Sequence, residues 1–412
     1  MDKEKVKQLI SDMGAHDCVE CGKCTTVCPI TRFNPEFAPR LVVVKALAGE
    51  DMDLSKDSDV WACNTCEMCN SMCPYEVDFS GFIRGMRGEA FGEGHEPDCS
   101  QGGLLHVMMR IMANSDLPQK RLDWITDDLR ITDKGDVFFF VGCAPQMDTI
   151  FKDRDLGLVE TARSAIWLMN QMGIEPVVRA DEKCCGHDLN WAGDEKNLVK
   201  LMNHNVEVIR KSGAKTVVFT CPECMRTFDL DYQDFMGDFE FEMMHISEFI
   251  AKALEEGKLD FPANVNVSVT FHDSCRLGRH LGKYDEPREV LTKIPSVEFV
   301  EMEKNKDAST CCGVSGFMNC SSVSKVMQME KMQDAKNTGA DFLITPCPKC
   351  FIHLDCSVRN ETPVDKELVD IPLMDFTVFV ARALRGELEA PEVSTTVETK
   401  EAEEAEENGG ID

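Results

Sequence analysis

The residues best suited to chemistry in this chain are its cysteines, of which there are 21 among 412 residues. Eight of them form two runs with the same spacing, in which gaps of two, two and three residues separate four cysteines and a proline follows the last. Three closely spaced thiolates bind one face of a cubane [4Fe-4S] cluster, and the cysteine before the proline ligates the other cluster. The spacing therefore predicts two cubane [4Fe-4S] clusters. The first is assigned to Cys18, Cys21, Cys24 and Cys73, and the second to Cys63, Cys66, Cys69 and Cys28.

Structural zinc is the main alternative for these eight cysteines. A structural zinc ion takes four ligands, usually from two short motifs. Two interleaved runs that both end in Cys-Pro, at Cys28-Pro29 and at Cys73-Pro74, fit such a site poorly.

Ten further cysteines form a second pattern that occurs twice. Each copy has a single cysteine, an adjacent pair followed by glycine, and a Cys-x2-Cys motif. The two pairs lie 127 residues apart and the two Cys-x2-Cys motifs 126 residues apart, which indicates an internal duplication. Five thiols exceed what one tetrahedral metal uses, whereas adjacent cysteines can hold two irons of a larger or irregular cluster. A redox dithiol beside buried free cysteines is the alternative. The copies consist of Cys143, Cys184, Cys185, Cys221 and Cys224, and of Cys275, Cys311, Cys312, Cys347 and Cys350.

Short apolar runs precede these cysteines and alternate with longer amphipathic stretches, which is typical of α/β units with parallel strands. Open α/β sheets place their sites at the carboxyl ends of the strands. The three cysteine groups of each copy are therefore expected to converge at one edge. The predicted strands are 137–141, 175–179, 216–219, 267–271, 296–302 and 342–344, and the predicted helices are 39–47, 79–91, 156–172 and about 195–211.

Composition and charge narrow the class of protein. Hydrophobic residues make up 43% of the chain and charged residues 28%, which indicates a globular protein. The formal charge of −29 argues against nucleic acid as a partner. The chain has neither an export signal nor an apolar run of the roughly 18 residues that a membrane span needs. We therefore expect a cytoplasmic protein, where clustered cysteines bind metal more often than they form disulfides.

The predicted fold class is α+β multidomain, with an N-terminal α-helical ferredoxin module carrying two [4Fe-4S] clusters before a duplicated α/β domain. Nine acids and one lysine between 389 and 412, without apolar periodicity, predict a disordered tail. The predicted division is 1–95 for the helical ferredoxin-like domain, 96–135 for a helical linker, 136–260 for the first repeat, 261–388 for the second repeat and 389–412 for the acidic tail.

This combination of motifs resembles the family of D-type subunits of heterodisulfide reductases, which join a two-cluster ferredoxin module to a double cysteine-rich CCG domain. The resemblance covers about residues 15–385 and takes in eighteen of the 21 cysteines. It implies that the five-cysteine copies bind one or two non-cubane [4Fe-4S] clusters at which a disulfide is reduced. The implied activity is that of an oxidoreductase that converts a heterodisulfide of the coenzyme M and coenzyme B type into two thiols.

Reduction of a disulfide also needs protons and a means of holding the substrate. His187 directly follows Cys184-Cys185-Gly186 and is the predicted proton donor, because histidine titrates near neutral pH. A hydrogen bond to a cluster sulfide, or a helix cap formed with Asp188, is the structural alternative. Arg276 and Arg279 follow Cys275 and are predicted to bind an anionic substrate through charge-assisted hydrogen bonds. Ion pairs are the alternative role for these two arginines.

The expected partners are a membrane cytochrome b or quinone-type subunit, or a soluble flavoprotein redox partner, together with a small-molecule disulfide. A membrane partner would place the chain peripherally on the inner membrane face. Residues 96–135 and 373–384 are the expected contact surfaces. The rival function is an electron-relay subunit without substrate chemistry, as in the C-type iron–sulfur subunit of anaerobic glycerol-3-phosphate dehydrogenase and in related proteins of sulfate-reducer membrane complexes.

Overall fold

A computed structural model of the chain describes residues 2–50, 60–261, 266–318, 320–359 and 369–391. The acidic tail predicted from residue 389 lies outside the described residues from 392 onward. The predicted fold class is confirmed, because a helical N-terminal module precedes two parallel sheets of matching topology.

The described part of the N-terminal module contains five α-helices, and two of them were predicted from the sequence. The helices are α1 (Lys3–Asp12), α2 (Lys23–Val27), α3 (Pro39–Ala48), α4 (Met68–Ser71) and α5 (Phe79–Gly92). The third begins with Pro39, whose ring fixes the backbone angle of a first helical turn. The fifth begins after Asp78, whose carboxylate accepts a hydrogen bond from the backbone N–H of Gly81 at 2.9 Å. Local capping signals therefore set both helices.

The segment after this module contains one α-helix, α6 (Leu104–Met112), and then runs through described residues to 136 without another. The helical prediction for the second half of 96–135 is therefore wrong. Side chains of this half hold it against the first repeat instead. The Arg121 guanidinium donates to the carbonyl of Glu182 at 2.9 Å and to the carbonyl of Gly142 at 2.5 Å.

The first repeat contains a parallel sheet in the order β1-β2-β3. Its strands are β1 (Val137–Phe140), β2 (Thr216–Phe219) and β3 (Glu242–His245). The strand predicted over 175–179 is reduced to isolated bridges, in which Val177 pairs with Phe138 and with Thr132. The predictions for the first two strands are confirmed, whereas the third was missed, because four residues with two methionines carry little strand signal.

The second repeat contains a parallel sheet in the order β5-β4-β6-β7. Its strands are β4 (Val267–Phe271), β5 (Val297–Phe299), β6 (Phe342–Thr345) and β7 (Leu373–Asp375). The order matches that of the first sheet when the bridge at Val177 takes the place of β5. Three of the four strands were predicted from the sequence, and only the three-residue β7 was missed.

Helices cover both sheets. Those of the first repeat are α7 (Ala144–Ile150), α8 (Leu158–Gln171), α9 (His187–Trp191), α10 (Glu195–Ser212), α11 (Pro222–Arg226), α12 (Gln233–Met236) and α13 (Ile246–Glu255). Those of the second are α14 (Asp285–Lys293), α15 (Ser322–Lys336), α16 (Pro348–Arg359) and α17 (Phe376–Arg385). Among the helices that the structure describes, none is long and apolar enough to span a membrane.

The last helix belongs to the core of the molecule. Phe376, Phe379 and Val380 of α17 have no exposed surface and lie in a hydrophobic cluster that also contains Ile166 and Leu168 of α8. The prediction that 373–384 forms a contact surface for a partner is therefore wrong. Its amphipathic pattern is explained by packing between the two repeats.

The N-terminal module and both repeats share one interface around the buried Arg87 of α5. Its guanidinium donates to the carbonyl of Cys63 at 2.7 Å and to the carbonyl of Trp191 in the first repeat at 3.2 Å. It also contacts the Met318 sulfur of the second repeat, at 3.9 Å. A single arginine therefore joins all three parts of the chain.

The backbone of α5 approaches the first repeat closely at Gly193, which has a φ of +83°. A Cβ atom at this position would lie 2.5 Å from the carbonyl oxygen of Arg87. Only glycine avoids both the left-handed backbone strain and this clash.

We expect Gly193→Ala to lower the free energy of unfolding by more than the ~1–2 kcal/mol that a left-handed alanine costs. The control is Gly173→Ala, at a φ of +76° with no atom within 4 Å of the added Cβ, which tests the backbone strain alone. Chemical denaturation of the two variants measures the difference. Equal losses would show that α5 does not press against Gly193.

Candidate iron–sulfur sites

The four cysteines assigned to the first cubane line one cavity of the N-terminal module. Cys18, Cys21 and Cys24 come from the loop before α2 and from its first turn, whereas Cys73 follows α4. Cys69 also reaches the wall of this cavity, so five thiols border the space.

The four cysteines assigned to the second cubane line a neighbouring cavity. Cys28, Cys63, Cys66 and Cys69 border it. Pro39 and Phe79 line both cavities, so one layer of side chains separates the two. The chain fold thus brings together the cysteine sets that the interleaved spacing predicts, and their ligand roles remain a prediction.

The five cysteines of the first repeat form a continuous row of thiols. Cys143 contacts Cys184, Cys184 contacts Cys185, Cys185 contacts Cys224, and Cys224 contacts Cys221. The single cysteine follows β1 and the Cys-x2-Cys motif follows β2, at the carboxyl ends of parallel strands. The topology therefore explains why thiols far apart in the sequence meet here.

The second repeat forms the same kind of row. Cys275 contacts Cys311, Cys311 contacts Cys312, and Cys350 contacts Cys347. The Sγ atoms of Cys312 and Cys350 lie 3.3 Å apart. Here the single cysteine follows β4 and the Cys-x2-Cys motif follows β6.

Two further contacts join these rows to each other and to the N-terminal module. Cys221 of the first repeat contacts Cys347 of the second. Cys66 of the N-terminal module contacts Cys311 of the second repeat. The thiols of the second cubane set and of both repeats thus form one series, in which the second repeat lies between the N-terminal module and the first repeat.

Burial of these thiols bears on what they can bind. Burial raises the pKa of Cys63 to about 12, and burial also raises the pKa of Cys69 well above its ordinary value. Contact with the Cys311 thiol, by contrast, lowers the pKa of Cys66 to about 6. Many thiolates cannot share a region of low dielectric constant without compensating positive charge. Iron of Fe–S clusters supplies that charge, and a donor set made only of sulfur suits it.

Glu223 and Lys349 occupy equivalent positions in the two repeats, and their side chains meet where the two rows of thiols come into contact. Glu223 lies inside Cys-Pro-Glu-Cys of the first repeat, and Lys349 lies inside Cys-Pro-Lys-Cys of the second. The Lys349 ammonium contacts the carboxylates of both Glu223 and Asp188, and all three side chains are buried. This pair was not predicted from the sequence, although opposite charges at matched positions of a duplicated motif are a signal that could have revealed it.

The Lys349 ammonium thus contacts two buried acidic side chains. Burial raises the pKa of Glu223 to about 8, against the opposing effect of Lys349. Burial alone would raise the pKa of Asp188, but the charge of Lys349 and the contact with His187 lower it. Although burial lowers the pKa of Lys349, the two carboxylates raise it well above its ordinary value. Lys349 therefore stays charged, and Asp188 is its ionised partner.

His187 opens α9 and lies fully inside this cluster. Its Nε2 accepts a hydrogen bond from Nε of Arg276 at 3.0 Å, so the ring proton resides on Nδ1 and is donated to Asp188 at 2.8 Å. Burial, followed by the charge of Lys349, lowers the pKa of His187 well below its ordinary value. The contact joins two side chains and does not cap the helix, which begins after Gly186 without a side-chain cap. The role of His187 as a proton donor stays a prediction.

Arg276 and Arg279 hold the second repeat against the N-terminal module. Arg276 donates to Oγ1 of Thr65 at 2.7 Å and also contacts the carbonyl of that residue. Arg279 donates to the carbonyl of Cys66 at 2.7 Å and to the carbonyl of Ser309 at 2.6 Å. Binding of an anionic substrate by these arginines stays a prediction, and these contacts do not support it. They stabilise the loop that carries Cys63 and Cys66.

If the cubane ligands interleave, Cys73→Ser and Cys21→Ser remove the same one of two cubane signals, because both residues serve the first set. Cys28→Ser and Cys63→Ser then remove the other signal. EPR spectra and iron content of the anaerobically reduced protein measure the losses. A pattern in which Cys73→Ser matches Cys63→Ser would instead show that each motif holds its own cluster.

Lys349→Met leaves the buried Asp188 carboxylate without its cation, so we expect it to reduce the free energy of unfolding by about 3–5 kcal/mol. Lys211→Met, which removes an exposed ion pair with Glu207, is the control and is expected to cost only about 0–1 kcal/mol. Anaerobic denaturant titration measures both variants. A loss at Lys349→Met as small as the control would contradict an essential buried pair.

Comparisons with known proteins agree with this layout. The family model of the CCG cysteine-rich domain matches residues 137–229 and again 269–355, and the model of the 4Fe-4S dicluster domain matches residues 14–77. The two CCG matches confirm the duplication.

Relatives along most of the chain are iron–sulfur proteins and oxidoreductases. The D-type subunit of the dihydromethanophenazine:CoB–CoM heterodisulfide reductase of Methanosarcina acetivorans is 30% identical, over 90% of this chain and 94% of its own length. A fumarate reductase (CoM/CoB) subunit of Methanothermobacter marburgensis is 26% identical over 86% of this chain and 70% of its own length. The EtfAB:quinone oxidoreductase of Syntrophomonas wolfei is 25% identical over 85% of this chain and 57% of its own length. The chain is therefore an oxidoreductase-type iron–sulfur electron-transfer protein, and it belongs to the family of D-type subunits of heterodisulfide reductases.

Proposed function

We propose that this chain reduces a heterodisulfide of the coenzyme M and coenzyme B type to two thiols at the junction of its two repeats. The observation that carries the proposal is the unbroken series of thiols from Cys66 through Cys311 to the contact between Cys347 and Cys221. Two five-cysteine sets that touch each other offer one sulfur-rich site for each half of a disulfide. The name of the Methanosarcina relative, which is part of a CoB–CoM heterodisulfide reductase, points to the same substrate.

The reaction consumes two electrons and two protons and cleaves one S–S bond. When bound, two cubane clusters and one or two non-cubane [4Fe-4S] clusters supply the electrons singly. The chain itself would set the order of the clusters and hold them close together. Cys18, Cys21, Cys24 and Cys73 would hold the entry cluster, the second cubane set would follow, and the second repeat would receive electrons before the first.

Protons for the two product thiols would come from the buried cluster of side chains at the junction. We retain His187 as the proposed proton donor. Because its lowered pKa leaves the imidazole neutral, the ring would first take up a proton and then pass it to a product thiolate, while Asp188 holds its Nδ1–H. Lys349 would keep positive charge beside the thiol products as they form, because its pKa stays high. Lys349 would therefore be the cation beside the substrate, a role that the sequence predicted for Arg276 and Arg279.

A partner subunit would deliver the electrons. A membrane cytochrome b or quinone-type subunit and a soluble flavoprotein are the candidates, since relatives of this chain are named as subunits of larger reductases. Leu104, Val107 and Ile111 of α6 are exposed apolar residues within the predicted contact segment 96–135.

The rival proposal is an electron-relay subunit without substrate chemistry. The similarity to the EtfAB:quinone oxidoreductase favours it, because that name describes electron delivery to a quinone. The two functions differ in one respect, namely whether a disulfide reoxidises the reduced chain directly.

The test uses the anaerobically purified, iron-loaded chain reduced with a viologen dye. We expect dye oxidation that depends on the coenzyme M–coenzyme B heterodisulfide, with two dye molecules oxidised for each disulfide. Cys347→Ser should abolish it, whereas Cys99→Ser, outside the motifs, should not. Full iron loading and reducible clusters with no response to the heterodisulfide would overturn the proposal and favour the relay function.

A further inference from the structure

His272 is a buried residue beside the second repeat's thiols that the proposed function does not use. It is the first residue after β4, and its side chain has no exposed surface. One of its ring nitrogens and the Sγ atoms of Cys312 and Cys350 lie within 4.8 Å of one another. Among the residues that the structure describes, neither ring nitrogen has a partner in normal hydrogen-bond geometry.

The backbone fixes the position of this ring. The N–H of His272 donates to the carbonyl oxygen of Ile344 in β6 at 2.9 Å, which continues the parallel ladder by one residue. The side chain therefore stands at the carboxyl edge of the sheet, where the cysteines converge.

The first repeat has no imidazole at the matching place, which lies within the described residues. The matching residue is Phe140, which lies three residues before Cys143, as His272 lies three residues before Cys275. Strand register agrees, because Phe139 pairs with Val218 of β2 as Phe271 pairs with Ile344 of β6. A nitrogen donor therefore faces the thiols of the second repeat, and a buried phenyl ring occupies the corresponding position in the first.

A neutral imidazole carries one N–H group, and buried N–H groups almost always have an acceptor. The sulfur atoms of Cys312 and Cys350, within 4.8 Å of a ring nitrogen, are acceptors for this N–H group. A cysteine sulfur that binds iron is a thiolate, and a thiolate accepts a hydrogen bond well.

We propose that His272 donates an N–H hydrogen bond to the Cys312 sulfur and thereby raises the reduction potential of the second repeat's iron–sulfur site. This inference rests on the proposed function, because it requires iron at the second repeat. Hydrogen bonds to the sulfurs of a cluster raise its potential, since they stabilise the more negative reduced state.

The test compares variants of nearly equal size in the iron-loaded, full-length chain. His272→Leu removes the N–H donor, whereas His272→Asn and His272→Gln place an amide N–H near the positions of Nδ1 and Nε2. Potentiometric titration followed by EPR measures the midpoint potential of each signal, and proton ENDOR detects an exchangeable proton near the second-repeat site.

We expect His272→Leu to shift one midpoint potential to a more negative value and to remove the exchangeable-proton signal. At least one of the two amide variants should restore both. An unchanged potential in iron-loaded His272→Leu, or a shift that neither amide variant reverses, would overturn the inference and leave the proposed function intact. Absence of iron from the second repeat, detected by unchanged iron content in Cys312→Ser, would overturn both.

Discussion

The structure depends on the convergence of sulfur at the carboxyl edges of two parallel sheets. Thiols that end up in mutual contact and away from water can be ionised only beside positive charge, because a region of low dielectric constant disfavours uncompensated thiolates. This requirement accounts for the chemistry of the site, since iron would supply most of the compensating charge and Lys349 supplies a fixed part of it. It also accounts for the architecture, because only strands that run in parallel bring the ends of so many segments to one place.

The duplication is symmetric in its backbone but not in its charges. Both sheets share one strand order when the bridge at Val177 is counted, and both carry cysteines at matching strand ends. The side chains between the cysteines differ, however. Glu223 of one repeat meets Lys349 of the other, and the counterpart of His272 is the apolar Phe140. Two sites with different surroundings are suited to unequal tasks, such as receiving electrons and binding the second half of a substrate.

The N-terminal module is held in place by arginines that bind backbone carbonyls. Arg87, Arg276 and Arg279 donate to the loop that contains Cys63, Thr65 and Cys66. Each guanidinium has several fixed donors, so it can satisfy a loop that has no regular secondary structure. The result is the contact of Cys66 with Cys311.

Much of this arrangement follows from the sequence. The cysteine spacing identified two interleaved sets and a duplicated five-cysteine pattern, because ligand spacing in such motifs is a local property of the chain. Strands such as β2 and β4 and helices such as α5 were predicted for the same reason, since periodicity and capping residues act over a few positions. The short strands β3 and β7 were missed, because tertiary pairing rather than local propensity forms them. The buried pair of Glu223 and Lys349, the structural contacts of Arg276 and the position of His272 were decided only by the tertiary structure. Some of these contacts join residues far apart in the chain, such as Arg276 and His187 at a separation of 89 positions. Others depend on which face of a sheet edge a side chain occupies. Such long-range proximity has no local signature in the sequence.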